Sequence, residues 1–96
     1  MPPRNPSSKV TFYVTQEGLA FLREYDFPCS EHILVTATVT EDGIRLIGTR
    51  SDVGCLLGFV AGEANHSREQ RRRRAARIFD ELADAMESAL AAYFTM

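Results

Sequence analysis

The last third of the chain has the clearest pattern of apolar and polar positions. From Ala75 onward the apolar side chains recur at the spacing of an α-helix and share one face, with acidic side chains opposite. That face comprises Ala75, Ile78, Phe79, Leu82, Met86, Ala89, Leu90 and Tyr93. Upstream, the run from Ser67 to Gln70 has the serine-to-glutamine spacing of a helix capping box. The pattern therefore predicts one continuous amphipathic helix from Ser67 to Phe94.

Residues near the start of the chain alternate in a different way. Val10, Phe12 and Val14 alternate with Thr11 and Tyr13, so the three apolar side chains share one face, which is the period of a half-buried β-strand. The segment Leu19–Tyr25 fits either a second strand that follows a turn at Gly18 or a short helix. We favour the strand.

The strongest hairpin pattern lies in the middle of the chain. His32–Thr40 and Ile44–Thr49 both alternate in hydrophobicity and are rich in β-branched residues. Between them, Glu41, Asp42 and Gly43 supply residues that are typical of a tight turn. This pattern predicts two antiparallel strands over these ranges.

Three glycines recur at every fourth position in the next segment. Residues 51–64 begin with a capping serine and predict a helix, on which Gly54, Gly58 and Gly62 form one column. Glycine inside a helix costs about 1 kcal/mol relative to alanine. We interpret the column as a surface for close packing against small residues of the last helix. The alternative is that residues 53–61 form a buried strand or an irregular segment.

Together these elements predict an α+β fold. A small antiparallel sheet of three or four strands is expected from residues 9–50, covered on one face by two C-terminal helices, the last one long. Residues 1–8 contain three prolines and two serines and are predicted to be a disordered lead-in. The remaining residues, 9–96, are expected to form a single domain.

Composition is that of a soluble globular protein, with 45% hydrophobic and 25% charged residues. No apolar run approaches the ~20 residues of a membrane span, and the N-terminus lacks the apolar centre of a signal peptide. A cytoplasmic location is therefore predicted. The net charge of −2 is unevenly distributed, because residues 1–66 sum to −3, residues 67–77 to +5 and residues 78–96 to −4.

The basic segment is the candidate functional surface. Its arginines are Arg68, Arg71, Arg72, Arg73, Arg74 and Arg77. Arginine binds carboxylates and phosphates in a bidentate manner, so an acidic protein partner and a nucleic acid are both chemically suitable. Acidic residues flank the run, and it lacks interleaved aromatic residues, which favours protein. An antiparallel homodimer would also place the basic half of the last helix against the acidic half of its partner.

Two cysteines and two histidines are candidate chemical groups. Cys29 and His32, together with Cys55 and His66, offer the four donors of a zinc site, and Cys29 with His32 also offers a nucleophile and its base. The spacing matches no zinc motif, and Cys55 lies in an apolar run, so reduced structural thiols are predicted instead. No cofactor motif is present. The sequence thus favours a small non-enzymatic interaction or regulatory protein over an enzyme.

Overall fold

The computed structural model describes residues 9–95, with side chains described up to Ala92. The predicted disorder of residues 1–8 therefore lies outside the described part. The elements in chain order are β1 (Lys9–Val14), α1 (Gln16–Tyr25), α2 (Glu31–Leu34), β2 (Thr38–Thr40), β3 (Gly43–Thr49), α3 (Arg50–Glu69) and α4 (Arg73–Thr95). The three strands form one antiparallel sheet in the order β1-β3-β2.

The sheet has one buried face and one open face. Along β1 the side chains of Val10, Phe12 and Val14 are buried, while the intervening residues are exposed. Ile44 and Leu46 of β3 continue the buried face. The two C-terminal helices pack over this face, so the predicted α+β class is confirmed. Within residues 9–95, none of the helices combines the length and apolar character that a bilayer crossing requires.

The prediction of a strand for residues 19–25 is wrong, because this segment belongs to helix α1. The Thr15 side chain caps the helix by accepting a hydrogen bond from the Gly18 N–H at 3.0 Å. Leu19 and Leu22 are buried on the helical period, and Asp26 ends the helix in the left-handed conformation. The short sequence fits both periods, and packing against α4 selects the helical one.

The predicted hairpin is correct at its turn but too long in its first strand. Thr40 pairs with Gly43, and β2 contains only three residues. Upstream, Ile33 lies in helix α2 and is fully buried beneath Gly48, where a Cβ would come within 2.6 Å of the Ile33 Cγ1. A side chain at Gly48 would therefore displace Ile33. This close contact, which joins α2 to β3, accounts for the helical conformation that replaces the predicted strand.

Helix α3 does not use its glycines as predicted. Gly54, Gly58 and Gly62 all lie on its exposed side, and a Cβ built on any of them has no neighbour within 4 Å. The prediction that these glycines pack closely against the last helix is therefore wrong. The helix instead buries Val53, Leu56, Val60, Ala64 and Ser67. Larger side chains on that stripe bury more apolar area than a glycine column would, which decides the rotation of the helix.

The continuous helix predicted from Ser67 to Phe94 is also wrong, because α3 ends at Glu69 and α4 begins at Arg73. Arg71 has a φ of 59°, its N–H donates to the Arg68 carbonyl, and the Arg72 N–H donates to the Ser67 carbonyl. This is the hydrogen-bond pattern of a Schellman C-cap. The predicted capping residue Ser67 is instead 1% exposed, because it extends the buried stripe of α3.

An aromatic cluster joins α1 to α4 at the centre of the core. The ring of Phe79 lies edge-on to those of Phe21, Tyr25 and Phe27, with centroids 5.4, 4.9 and 6.0 Å away. Phe79 itself is fully buried. Edge-to-face rings place the positive edge of one ring on the negative face of another, so this arrangement adds to the hydrophobic contribution. The cluster fixes the position of the first turns of α4.

Candidate interaction surface

All six predicted arginines lie at the junction where α3 turns into α4. Arg68 is in the last turn of α3, and Arg71 and Arg72 are in the connecting turn. Arg73, Arg74 and Arg77 are in the first turns of α4, and all six side chains are exposed. We call this region the α3–α4 junction. The break between the helices places the arginines around one end of the molecule instead of along a single rod.

Arg68 connects the two helices. Its Nη1 donates to both carboxylate oxygens of Asp80 at 2.8 Å, and its Nη2 donates to Asn65 on its own helix. Both members of the pair are about half exposed, at 50% and 49%. Exposed ion pairs contribute little free energy. The Arg68–Asp80 pair therefore orients the end of α3 against α4, and it gives the charge of Arg68 a partner within the chain.

Arg74 and Arg77 are held by a carboxylate on helix α1. The Nε of Arg74 donates to Glu17 Oε2 at 3.1 Å, and Arg77 Nη2 lies 3.7 Å from Oε1. The Arg74 guanidinium also lies over the ring of Phe21, 5.9 Å from its centroid. Arg77 has a second partner, Glu81, at 3.2 Å. These contacts attach the start of α4 to α1.

The same contacts change the acidity of Glu17. The hydrogen bond from Arg74, together with the charges of Arg74 and Arg77, lowers the pKa of Glu17 below its ordinary value of 4.5. A carboxyl whose pKa is lowered in the folded chain stabilises the fold above its ordinary pKa. That contribution declines as the pH falls through the lowered value.

We expect this linkage to be measurable in the melting temperature. The Glu17→Gln variant should melt below the wild type near neutral pH, and the difference should shrink as the pH falls below about 4. Thermal unfolding followed by circular dichroism across this range measures it. Glu24→Gln, an exposed acid on the same helix, is the control and should show no such trend. A Glu17→Gln difference that stays constant with pH would contradict the expectation.

The other three arginines have no partner in the described part of the chain. Among residues 9–92, whose side chains are described, none forms a hydrogen bond or ion pair with the guanidinium groups of Arg71, Arg72 or Arg73. The three are consecutive and exposed. We call them the arginine tip. The sequence pattern grouped six arginines as one cluster, whereas the structure divides them into three with ion-pair partners and three without a partner among the described side chains.

Arg71 occupies a backbone position that favours glycine. Its φ of 59° lies in the left-handed region, where a residue with a Cβ costs roughly 1 to 2 kcal/mol. Glycine is the usual residue at this position of a Schellman cap. The chain thus carries a long cationic side chain at a position where glycine would give the more stable fold.

A groove of about 450 Å³ lies beside the arginine tip. It is lined by Arg68, Arg71, Arg73, Ala76, Arg77, Asp80, Glu81 and Asp84. Guanidinium and carboxylate groups therefore face the same space, with Ala76 between them. A uniform polyanion placed in this groove would approach the carboxylates as well as the guanidiniums. A partner with both signs of charge fits the groove better.

The prediction that both cysteines are reduced thiols is wrong. Cys29, in the loop before α2, is joined by a disulfide to Cys55 in the second turn of α3, with 6.3 Å between their Cα atoms. The prediction failed because residues 26 apart in sequence are brought together only by the packing of this loop on α3. In the disulfide neither sulfur is a free nucleophile or metal ligand. His32 and His66 are both exposed.

A metal site finds no support in the described residues either. Between Lys9 and Ala92 no group of three or more histidine, cysteine, aspartate or glutamate side chains is arranged to hold an ion.

Comparison with known proteins places this chain in no family. No model of a protein family matches it, and neither a curated protein nor a solved structure does. The function is therefore inferred from the α3–α4 junction alone.

Proposed function

We propose that this protein is a small non-enzymatic interaction or regulatory module whose contact surface is the α3–α4 junction. The observation that carries the proposal is Arg71, an exposed arginine in a left-handed conformation with no partner among the described side chains. Arg72 and Arg73 extend the same accessible charge. Three adjacent guanidiniums bind carboxylates through charge-assisted hydrogen bonds, which are stronger than neutral ones.

The proposed partner is a protein surface that includes acidic groups. Asp80, Glu81 and Asp84 line the groove next to the arginine tip, and the whole chain has a net charge of −2. Both features oppose a nucleic acid, whose phosphates carry one sign of charge only. Binding to nucleic acid through the same arginines is the alternative, and the test below includes it.

The Arg71→Gly variant tests the proposal because stability and binding should change in opposite directions. Relief of the left-handed strain should outweigh the extra freedom that glycine gives the unfolded chain, so the free energy of unfolding should rise by about 0.5 to 1 kcal/mol. Binding should weaken because a cation is lost. Asp26→Gly, at the left-handed end of α1, is the matched control. It should also raise stability but leave binding unchanged.

Binding is measured by fluorescence anisotropy with two labelled probes. One is a peptide of alternating glutamate and leucine, and the other is a DNA duplex of equal charge. In the Arg71→Gly/Arg72→Gln variant the dissociation constant for the peptide should rise roughly two- to thirtyfold. The Lys9→Gln/Arg23→Gln variant removes the same charge from exposed sites elsewhere and should bind as the wild type does.

Three outcomes would contradict the proposal. The first is that the peptide does not bind, even at low salt. The second is that the junction variant and the control variant lose affinity equally, which would assign binding to net charge instead of to the junction. The third is tighter binding of the DNA duplex than of the peptide, with an affinity that falls steeply as salt rises. That result would make nucleic-acid binding the function.

A further inference from the structure

The face of α4 that borders the groove has a regular order of charge. Arg73, Arg77, Asp80 and Asp84 all line the groove, and their spacing of four, three and four residues places them on one side of the helix. Two cations are followed by two anions. We call these four residues the α4 charge stripe. Reading it backwards gives the same spacing with every sign reversed.

A helix with this order is complementary to an antiparallel copy of itself. If a twofold axis lies midway between Arg77 and Asp80, Arg73 of one chain is opposite Asp84 of the other, and Arg77 is opposite Asp80. Every pair that this register forms is of opposite sign. We propose that the partner of the α3–α4 junction is a second copy of this chain, held in an antiparallel α4–α4 contact, and this inference rests on the proposed function.

The contacts within one chain support this register. Arg77 and Asp80, at the centre of the stripe, already have partners in Glu81 and Arg68. Arg73 and Asp84, at its ends, are exposed and form no ion pair with the described side chains. The register brings together the two charges of the stripe that have no ion-pair partner among the described side chains. Because the axis repeats each contact, a dimer gains two such pairs.

The expected dimer is weak and sensitive to salt. The stripe spans the twelve residues 73–84, or about 16 Å of helix at the usual rise, which is less than a standard interface requires. The paired groups are exposed, so dissolved ions screen them effectively. We expect dimerisation with a micromolar or weaker dissociation constant near 50 mM salt, and a rise of that constant of about tenfold or more near 500 mM.

Charge exchange on the full-length chain tests the register by sedimentation equilibrium. Arg73→Asp and Asp84→Arg should each raise the dimer dissociation constant at least about tenfold, because each places like charges opposite each other twice. The double variant Arg73→Asp/Asp84→Arg should restore the dimer. A mixture of the two single variants should form a heterodimer, because each then supplies the charge that the other lacks.

Matched controls are Arg23→Asp and Glu24→Arg, which make the same changes at exposed positions of α1 and should leave dimerisation intact. Circular dichroism confirms that each variant is folded. If the wild type stays monomeric at low salt, or the double variant fails to restore the dimer, the inference is overturned. In either case, binding of the acidic peptide through Arg71 and Arg72 would still support the proposed function, so the two failures are distinguishable.

Discussion

Replacement of Phe79 by alanine is expected to lower the free energy of unfolding by about 3 to 5 kcal/mol. Phe79 is fully buried, and its ring contacts three other aromatic rings edge-on. The substitution removes both the apolar area and these ring contacts, and it leaves a cavity between α1 and α4. The total free energy of unfolding of a domain this small is of the same order as that loss.

Urea denaturation of the wild type and variants measures this effect. Phe79→Leu separates its two components, because it retains much of the apolar volume but loses the edge-to-face contacts, and it should cost less than alanine. Phe59→Ala is the control, since Phe59 is 44% exposed on α3, and it should cost less than about 1.5 kcal/mol. Equal losses in Phe79→Ala and Phe59→Ala would contradict the position of Phe79 at the centre of the core.

Removal of the Cys29–Cys55 disulfide is expected to have an effect of similar size. The bond joins residues 26 apart. Closing a loop of this length lowers the entropy of the unfolded chain, which stabilises the fold by about 3 to 4 kcal/mol. It also anchors the loop before α2 to α3. That loop contains Phe27, a member of the aromatic cluster, so loss of the bond should loosen one side of the core.

A reductant provides the measurement and its control together. The wild type under reducing conditions and the Cys29→Ser/Cys55→Ser variant should unfold at the same, lower urea concentration. The variant should not respond to reductant, because it has no bond to reduce. If reductant leaves the unfolding of the wild type unchanged, the two cysteines are already thiols in the starting protein, and the reduced state predicted from the sequence would be correct after all.

Local patterns in the sequence determined several features of this protein. The alternation of Val10, Phe12 and Val14 predicted β1, and Glu41–Gly43 predicted the hairpin turn correctly. The helical period after Ala75 predicted the buried face of α4. Each of these depends on residues within about one turn or one strand of each other, so the sequence contains the relevant information locally. The α+β class follows from these elements.

The arginine cluster was visible in the sequence, but its division was not. The partners of Arg68 and Arg74 are 12 and 57 residues away, and no local pattern indicates such contacts. The accessible Arg71–Arg73 tip is therefore a property of the tertiary structure. The same holds for the α4 charge stripe as a surface, since its exposure depends on where α1 and α3 pack.

Long-range packing determines where helices begin and end in the ambiguous segments. Ser67 has the sequence of a helix N-cap but is buried in α3, and residues 19–25 fit a strand but form a helix. The contact between Cys29 and Cys55 and the exposure of the glycine column were likewise settled by packing. The physical reason is the same in each case. Short segments satisfy more than one local pattern, and the burial of apolar area against distant residues selects among them.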